Sequence, residues 1–232
     1  MQSIRSINST FGSICIFVAF GGLFIGRMMI YPAAVAKGNF LQRLDSEATA
    51  WDYGHRVMLV GAIALIPALL TLWAVIRFQS PRLALSATCL GIFGAALLVG
   101  QFALDFAMLA AAQIEPRSAG QAVVDSLQSQ PFVELAFYKL PDLLQLGAVL
   151  FVIGFWRQGK EWRWPATTAT LAVLISLVCP LLWGGLGERI ALGAFWIAFS
   201  FVAFKIFCIG LPATVQERLN HDGLGVASNN RQ

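Results

Sequence analysis

The chain is a succession of long apolar runs broken by short polar connections, and that alternation predicts its elements. Six runs, at about 11–31, 57–76, 84–112, 131–156, 165–183 and 190–211, match the roughly 20 residues an α-helix needs to cross a bilayer. The expected fold class is all-α: a polytopic transmembrane helical bundle of six spans, one domain over 1–212, with a polar tail at 213–232. In the first run Gly22 and Gly26 make a G-x-x-x-G pair that lets a neighbouring backbone approach closely. Pro67 falls near the middle of the second run and predicts a kink.

The connections carry most of the polar residues. The stretch 32–56 holds Lys37, Arg43, Asp45, Glu47, Asp52 and His55, with Trp51 and Tyr53 suited to an interfacial belt. In 113–130, Ala119, Val123, Val124 and Leu127 recur at helical spacing, so a short helix is expected, lying in the membrane surface or packed on the protein. Arg157, Lys160 and Arg163 share the next turn with Trp156, Trp162 and Trp164, and Gly184, Gly185 and Gly187 make the last one tight.

Composition changes the picture by fixing the solvent. Charged residues are 12% of the chain and hydrophobic ones 58%, with a mean hydropathy of +0.72. A water-soluble domain carries about a quarter charged residues, so lipid is the expected surroundings. The net charge of +4 and pI near 9.1 sit in short loops between apolar runs, and no nucleic-acid partner is expected. With six spans, one side has Arg5, Arg77, Arg82, Arg157, Lys160, Arg163, Arg218 and Arg231. The other has Lys37, Arg43, Arg56, Arg117, Lys139 and Arg189. The first group is concentrated in short loops, so both termini should be cytoplasmic. Ala34-Val35-Ala36 resembles a signal-cleavage site, but the run before it is long and holds Arg27, so the first span should be retained. Cys15, Cys89, Cys179 and Cys208 lie in apolar runs without metal-site spacing and are expected to be small buried hydrophobes.

Candidate chemistry lies in the polar residues inside the runs. Read as an α-helix, 131–145 puts Glu134, Tyr138, Asp142 and Gln145 on one face, at spacings of four, four and three. Gln101 and Asp105 share a face in the third run. Asp105 should lie about 10 Å below the outer end and Asp142 about 16 Å, close to the midplane. Arg27 and Lys139 belong to the same outer half, with His55 and Glu134 near its rim, where His55 is expected to be solvated, and Lys205 apart. Two readings follow. The charges neutralise one another, Arg27 or Lys139 pairing with Asp105, Asp142 or Glu134; or they surround an outward-facing polar pocket. Asp105 and Asp142 are the candidate acid/base groups, and Arg27, Gln101, Asp105, Glu134, Tyr138, Lys139, Asp142 and Gln145 the candidate ligand-binding set.

Other chemistries are disfavoured. His55 and His221 do not make a pair of intramembrane haem ligands, and no metal or cofactor is expected. No phosphate-binding glycine loop or serine nucleophile elbow is present in the sequence. The segment Leu146–Arg157 followed by Glu161-Trp162-Arg163-Trp164-Pro165 resembles uncharacterised bacterial six-span integral membrane proteins, in which a span ends in Arg and a Trp-Pro pair opens the next. The resemblance implies a bacterial inner membrane and no particular activity. Three functions stay open. The first is a non-catalytic accessory protein, partnered by another membrane subunit or binding a lipophilic small molecule. The second is a small proton-coupled transporter, for which Pro67 and Pro180 in matching helices hint at an inverted repeat. The third is a membrane-embedded isomerase or cyclase using its carboxylates.

Overall fold

The computed structural model describes residues 2–32 and 39–211. Ala34 to Lys37 and the tail with Arg218, His221 and Arg231 lie outside the described residues. Among the described residues the fold is all helical, without strands. The order is α1 Gln2–Met29, α2 Phe40–Ser46, α3 Ala48–Ile76, α4 Pro81–Ala112, α5 Arg117–Gln128, α6 Leu143–Trp156 and α7 Arg163–Ile209. Between α5 and α6 the chain runs through one α-turn, a π-helical stretch Glu134–Lys139 and a 3₁₀ turn Leu140–Asp142.

Among the described residues, five helical segments are long and apolar enough to cross a membrane: Asn8–Met29, Ala48–Ile76, Pro81–Ala112, Pro131–Trp156 and Lys160–Ile209. The fifth contains two of the six runs read in the sequence. Its helix α7, with 47 residues, would be roughly 70 Å long if straight. It is not straight. Phe155 stacks on Trp162 at 5.6 Å and lies 6.4 Å from Phe199, residues that a straight helix would separate by roughly 55 Å. The chain folds back at Gly184, whose φ of 52° and ψ of −129° are open mainly to glycine. The arms 163–183 and 185–209 are pressed together at the turn, where a Cβ on Gly187 would fall 1.9 Å from the Cys179 carbonyl oxygen.

α1 and α3 pack antiparallel through small residues. A Cβ on Gly22 would approach the Gly61 Cα to 2.9 Å, and one on Gly26 the Gly54 carbonyl oxygen to 2.5 Å. The G-x-x-x-G pair thus serves packing within this chain. α4 and α6 interlock in the same way, Gly94 against Leu144 and Gly147 against Ala87 and Gly91. Phe20, Phe199, Phe155 and Phe151 fill the centre, with Phe20 stacked 4.2 Å from Phe199.

α3 starts nine residues earlier than the apolar pattern indicates. Its first turns place Trp51 and His55 inward and Tyr53 and Arg56 outward, so a polar sequence still continues the helix. α2 opens on a reciprocal cap, in which Asn39 Oδ1 accepts from Gln42 N at 2.9 Å and Gln42 Oε1 accepts from Asn39 N at 3.1 Å. The amphipathic stretch 117–128 is helical and packed on protein: its Val124 is buried with Leu41 and Leu44 of α2 against Met108, Ala111 and Ala112 of α4. Arg117 is paired with Asp45, so α2 and α5 form a cap over one end of the bundle. Ala119 and Val123, read as part of the apolar face, are exposed, and Gly120 takes the inward position.

The sides of the bundle expose large apolar residues, among them Leu85, Leu181, Trp164 and Phe204. An apolar belt of this kind suits acyl chains as solvent and not water. Cys15 and Cys179 are buried, but Cys89 and Cys208 belong to the exposed belt, which corrects the expectation that all four are interior. The apolar pattern marks an apolar surround, and protein and lipid satisfy it equally.

Candidate functional site

A cavity of about 580 Å³ lies at the meeting of α1, α3, α4, the 131–156 segment and both arms of α7. Its walls are largely apolar, with Phe20, Leu69, Leu72, Phe151, Phe195 and Phe199 contributing. Polar side chains enter it from four places. Arg27 comes from the end of α1, Gln101 from α4, Tyr138, Asp142 and Gln145 from the 131–156 segment, and Ser176 and Glu188 from the two arms of α7. A mainly apolar chamber with a few convergent polar groups is the usual form of a small-molecule site.

The break beside Asp142 has a local cause. Pro141 has no N–H to donate and its ring crowds the preceding turn, so a regular α-helix cannot run through it. The chain widens into π geometry before it, with Leu140 N–H donating to the Leu135 carbonyl, then tightens to 3₁₀. This changes the spacing on which the four-residue face was read. Tyr138, Asp142 and Gln145 line the cavity and are also exposed, whereas Glu134 and Lys139 are exposed and do not line it.

Arg27 pairs with Glu188, not with Asp105, Asp142 or Glu134. Next to it, Arg189 is buried, donates to the Gly185 carbonyl oxygen at 2.7 Å and lies 4.4 Å over the Tyr31 ring. Asp142 has no ion-pair partner among the described residues. Between them, Arg27 and Glu188 cancel, which leaves Asp142 as the unbalanced charge-bearing group of the wall.

Asp105 is off the cavity wall, in a second polar cluster beneath the cap. Its Oδ2 is 3.2 Å from His55 Nε2, and both side chains are buried. His55 Nδ1 is 2.8 Å from the Trp51 carbonyl oxygen, and Trp51 Nε1 donates to the Asp105 carbonyl oxygen at 3.3 Å. The His55 ring is enclosed by Trp51, Phe102 and Phe106, with centroids 4.3, 5.9 and 6.0 Å away. The expectation of a solvated interfacial histidine is therefore corrected. The available signal was the spacing of Trp51 and His55, one turn apart on the face that leads to Met58. Glu188, like Ser176 absent from the candidate set read in the sequence, carried no such signal, because its partner is 161 residues away.

Compared with protein-family models, with curated proteins and with solved structures, the chain matches none.

Proposed function

We propose that this chain is a membrane-embedded binding protein for a lipophilic small molecule with a polar, hydrogen-bond-donating head. In this reading it crosses a bacterial inner membrane six times, each arm of α7 spanning once, with both termini cytoplasmic. The observation that carries the proposal is the apolar chamber with Arg27, Glu188, Gln101, Tyr138, Asp142 and Gln145 on its wall. A hydrocarbon tail gains little on leaving lipid for an apolar wall, since acyl chains are as apolar as leucine. Selectivity must then come from the head. Because Arg27 and Glu188 satisfy each other, Asp142 with Gln101 and Gln145 is left to receive a cationic or donor-rich group.

Energy transfer from tryptophan to a dansylated long-chain amine, with the matching carboxylate as control, tests this in nanodiscs. The amine should bind saturably and more tightly than the carboxylate, and Ala191→Trp, which fills the chamber, should abolish binding with helicity retained. Saturable binding of neither probe sinks the proposal. A carrier reading is supported by the helix break on the cavity wall, because interrupted helices at the substrate site are a recurrent carrier feature. Accumulation of the amine in proteoliposomes only under an imposed pH gradient would favour it. The enzyme reading drawn on Asp105 and Asp142 loses Asp105, which lies off the chamber, and the wall's other carboxylate, Glu188, is paired with Arg27.

A further inference from the structure

His55 sets a proton-counting problem that its neighbours resolve in one way. The Trp51 carbonyl oxygen can only accept, so at 2.8 Å the Nδ1 that faces it must carry hydrogen. Nε2 faces Asp105 Oδ2 at 3.2 Å. A neutral imidazole protonated on Nδ1 presents a bare lone pair there, and an ionised carboxylate presents another. Two acceptors at that distance repel, and the pocket around them is built from Trp51, Phe102 and Phe106. One proton between Nε2 and Oδ2 removes the conflict. Whether it is drawn as imidazolium with carboxylate or as imidazole with carboxylic acid, the pair is then neutral, the least costly state for buried ionisable groups.

We propose that His55 and Asp105 form a proton-binding site, holding one proton between Nε2 and Oδ2 in addition to the one on Nδ1. The site is separate from the lipophile chamber and stands whether or not that chamber binds a lipophile. Phe102 lies between the two, edge-on to the His55 ring and also part of the cavity wall. The titratable and charged groups on the elements packed around the pair are few. Tyr138 lies on the broken segment, which packs against α4, and lines the chamber. Asp52 and Arg56, on the same helix as His55, pair with each other at the surface. On the cap, Asp45 pairs with Arg117, and Arg43 and Asp125 lie on the same two helices. Glu47 and Tyr53 at the start of α3, and Glu134 and Lys139 on the broken segment, are further such groups among the described residues. Without that proton an ionised carboxylate would face a lone pair under the cap, so the cap is held most firmly while the proton is bound.

Nitrogen NMR of the imidazoles settles the count, because the full chain has only two histidines and His221→Asn leaves one. In nanodiscs near neutral pH, the expected spectrum has Nδ1 protonated and Nε2 either protonated or hydrogen-bonded to the acid form of Asp105. Asp105→Asn supplies an amide donor instead, so His55 should become a neutral Nδ1–H imidazole without a proton from residue 105. A bare Nδ1 with hydrogen on Nε2 would overturn the proposal. So would an Nε2 that carries and accepts no proton. The wild-type spectrum decides between these outcomes even if the variant fails to fold.

Discussion

Glu188 stands between two arginines, paired with Arg27 on the cavity wall and adjacent to Arg189 in sequence. Its removal would leave two guanidinium groups facing each other without a carboxylate. Arg27 and Glu188 remain a third to a half exposed, so Glu188→Gln should cost only about 1 kcal/mol, seen as a lower unfolding temperature in detergent. Arg27→Gln in the same chain should restore most of it; an unchanged double-mutant cycle would show the pair to be idle. Asp142 acts differently, having no partner to lose. Asp142→Asn should leave stability within about 0.5 kcal/mol but weaken the amine probe by about tenfold relative to the carboxylate, roughly 1.4 kcal/mol. Much of this wall was legible in the sequence, because acids in apolar runs are rare and Tyr138, Asp142 and Gln145 are spaced along one helix face. Glu134 was misread because Pro141 shifts the register ahead of it. The Arg27–Glu188 and His55–Asp105 pairs were not legible, since they depend on which helices become neighbours, and local spacing carries no such information.

At the scale of elements, the α1–α3 contact and the α7 turn depend on glycine for different reasons. At Gly61 the neighbouring backbone is the obstacle: a Cβ would fall 2.9 Å from the Ala19 carbonyl oxygen, and neither helix axis can give without repacking. Gly61→Leu should therefore cost 2 kcal/mol or more, at about the upper end for overpacked cores. At Gly184 nothing lies within 4 Å of a built Cβ, so the obstacle is the dihedral alone. Gly184→Ala should cost about 1–3 kcal/mol and destabilise the joint between the arms more than the rest, which hydrogen exchange around 180–190 would report. The helices themselves were readable from hydropathy. The start of α3 was not, because Trp51, Asp52, Tyr53, His55 and Arg56 read as a loop to any count of apolar residues, although as a helix they divide into an inner and an outer face. The cap helix α5 was readable as a helix but not as a lid, since the pattern that lies on lipid also lies on protein.

For the molecule as a whole, the proposed six-crossing topology predicts that cytoplasmic reporters fused after Gln232 and within 77–82 are active, and one within 113–130 is not. A reporter at 184–187 should behave like the one at 113–130; agreement with 77–82 instead would mean that the α7 arms do not cross separately. The cap should answer to its own ion pair, and Arg117→Ala should raise proteolysis between 113 and 130 while leaving the helical core intact. The Arg27–Glu188 pair also joins the first long helix to the last hairpin, across 161 residues. At ribosomal rates of about 5–20 residues per second, the nascent chain must carry Arg27 for roughly ten to thirty seconds before its counter-ion is made. During that interval the guanidinium has to reach up to the headgroups, or be shielded by the insertion machinery. The chamber therefore closes only after the second arm of α7 has been made, and a ribosome stalled before Glu188 would leave a half-built bundle with its charge unguarded.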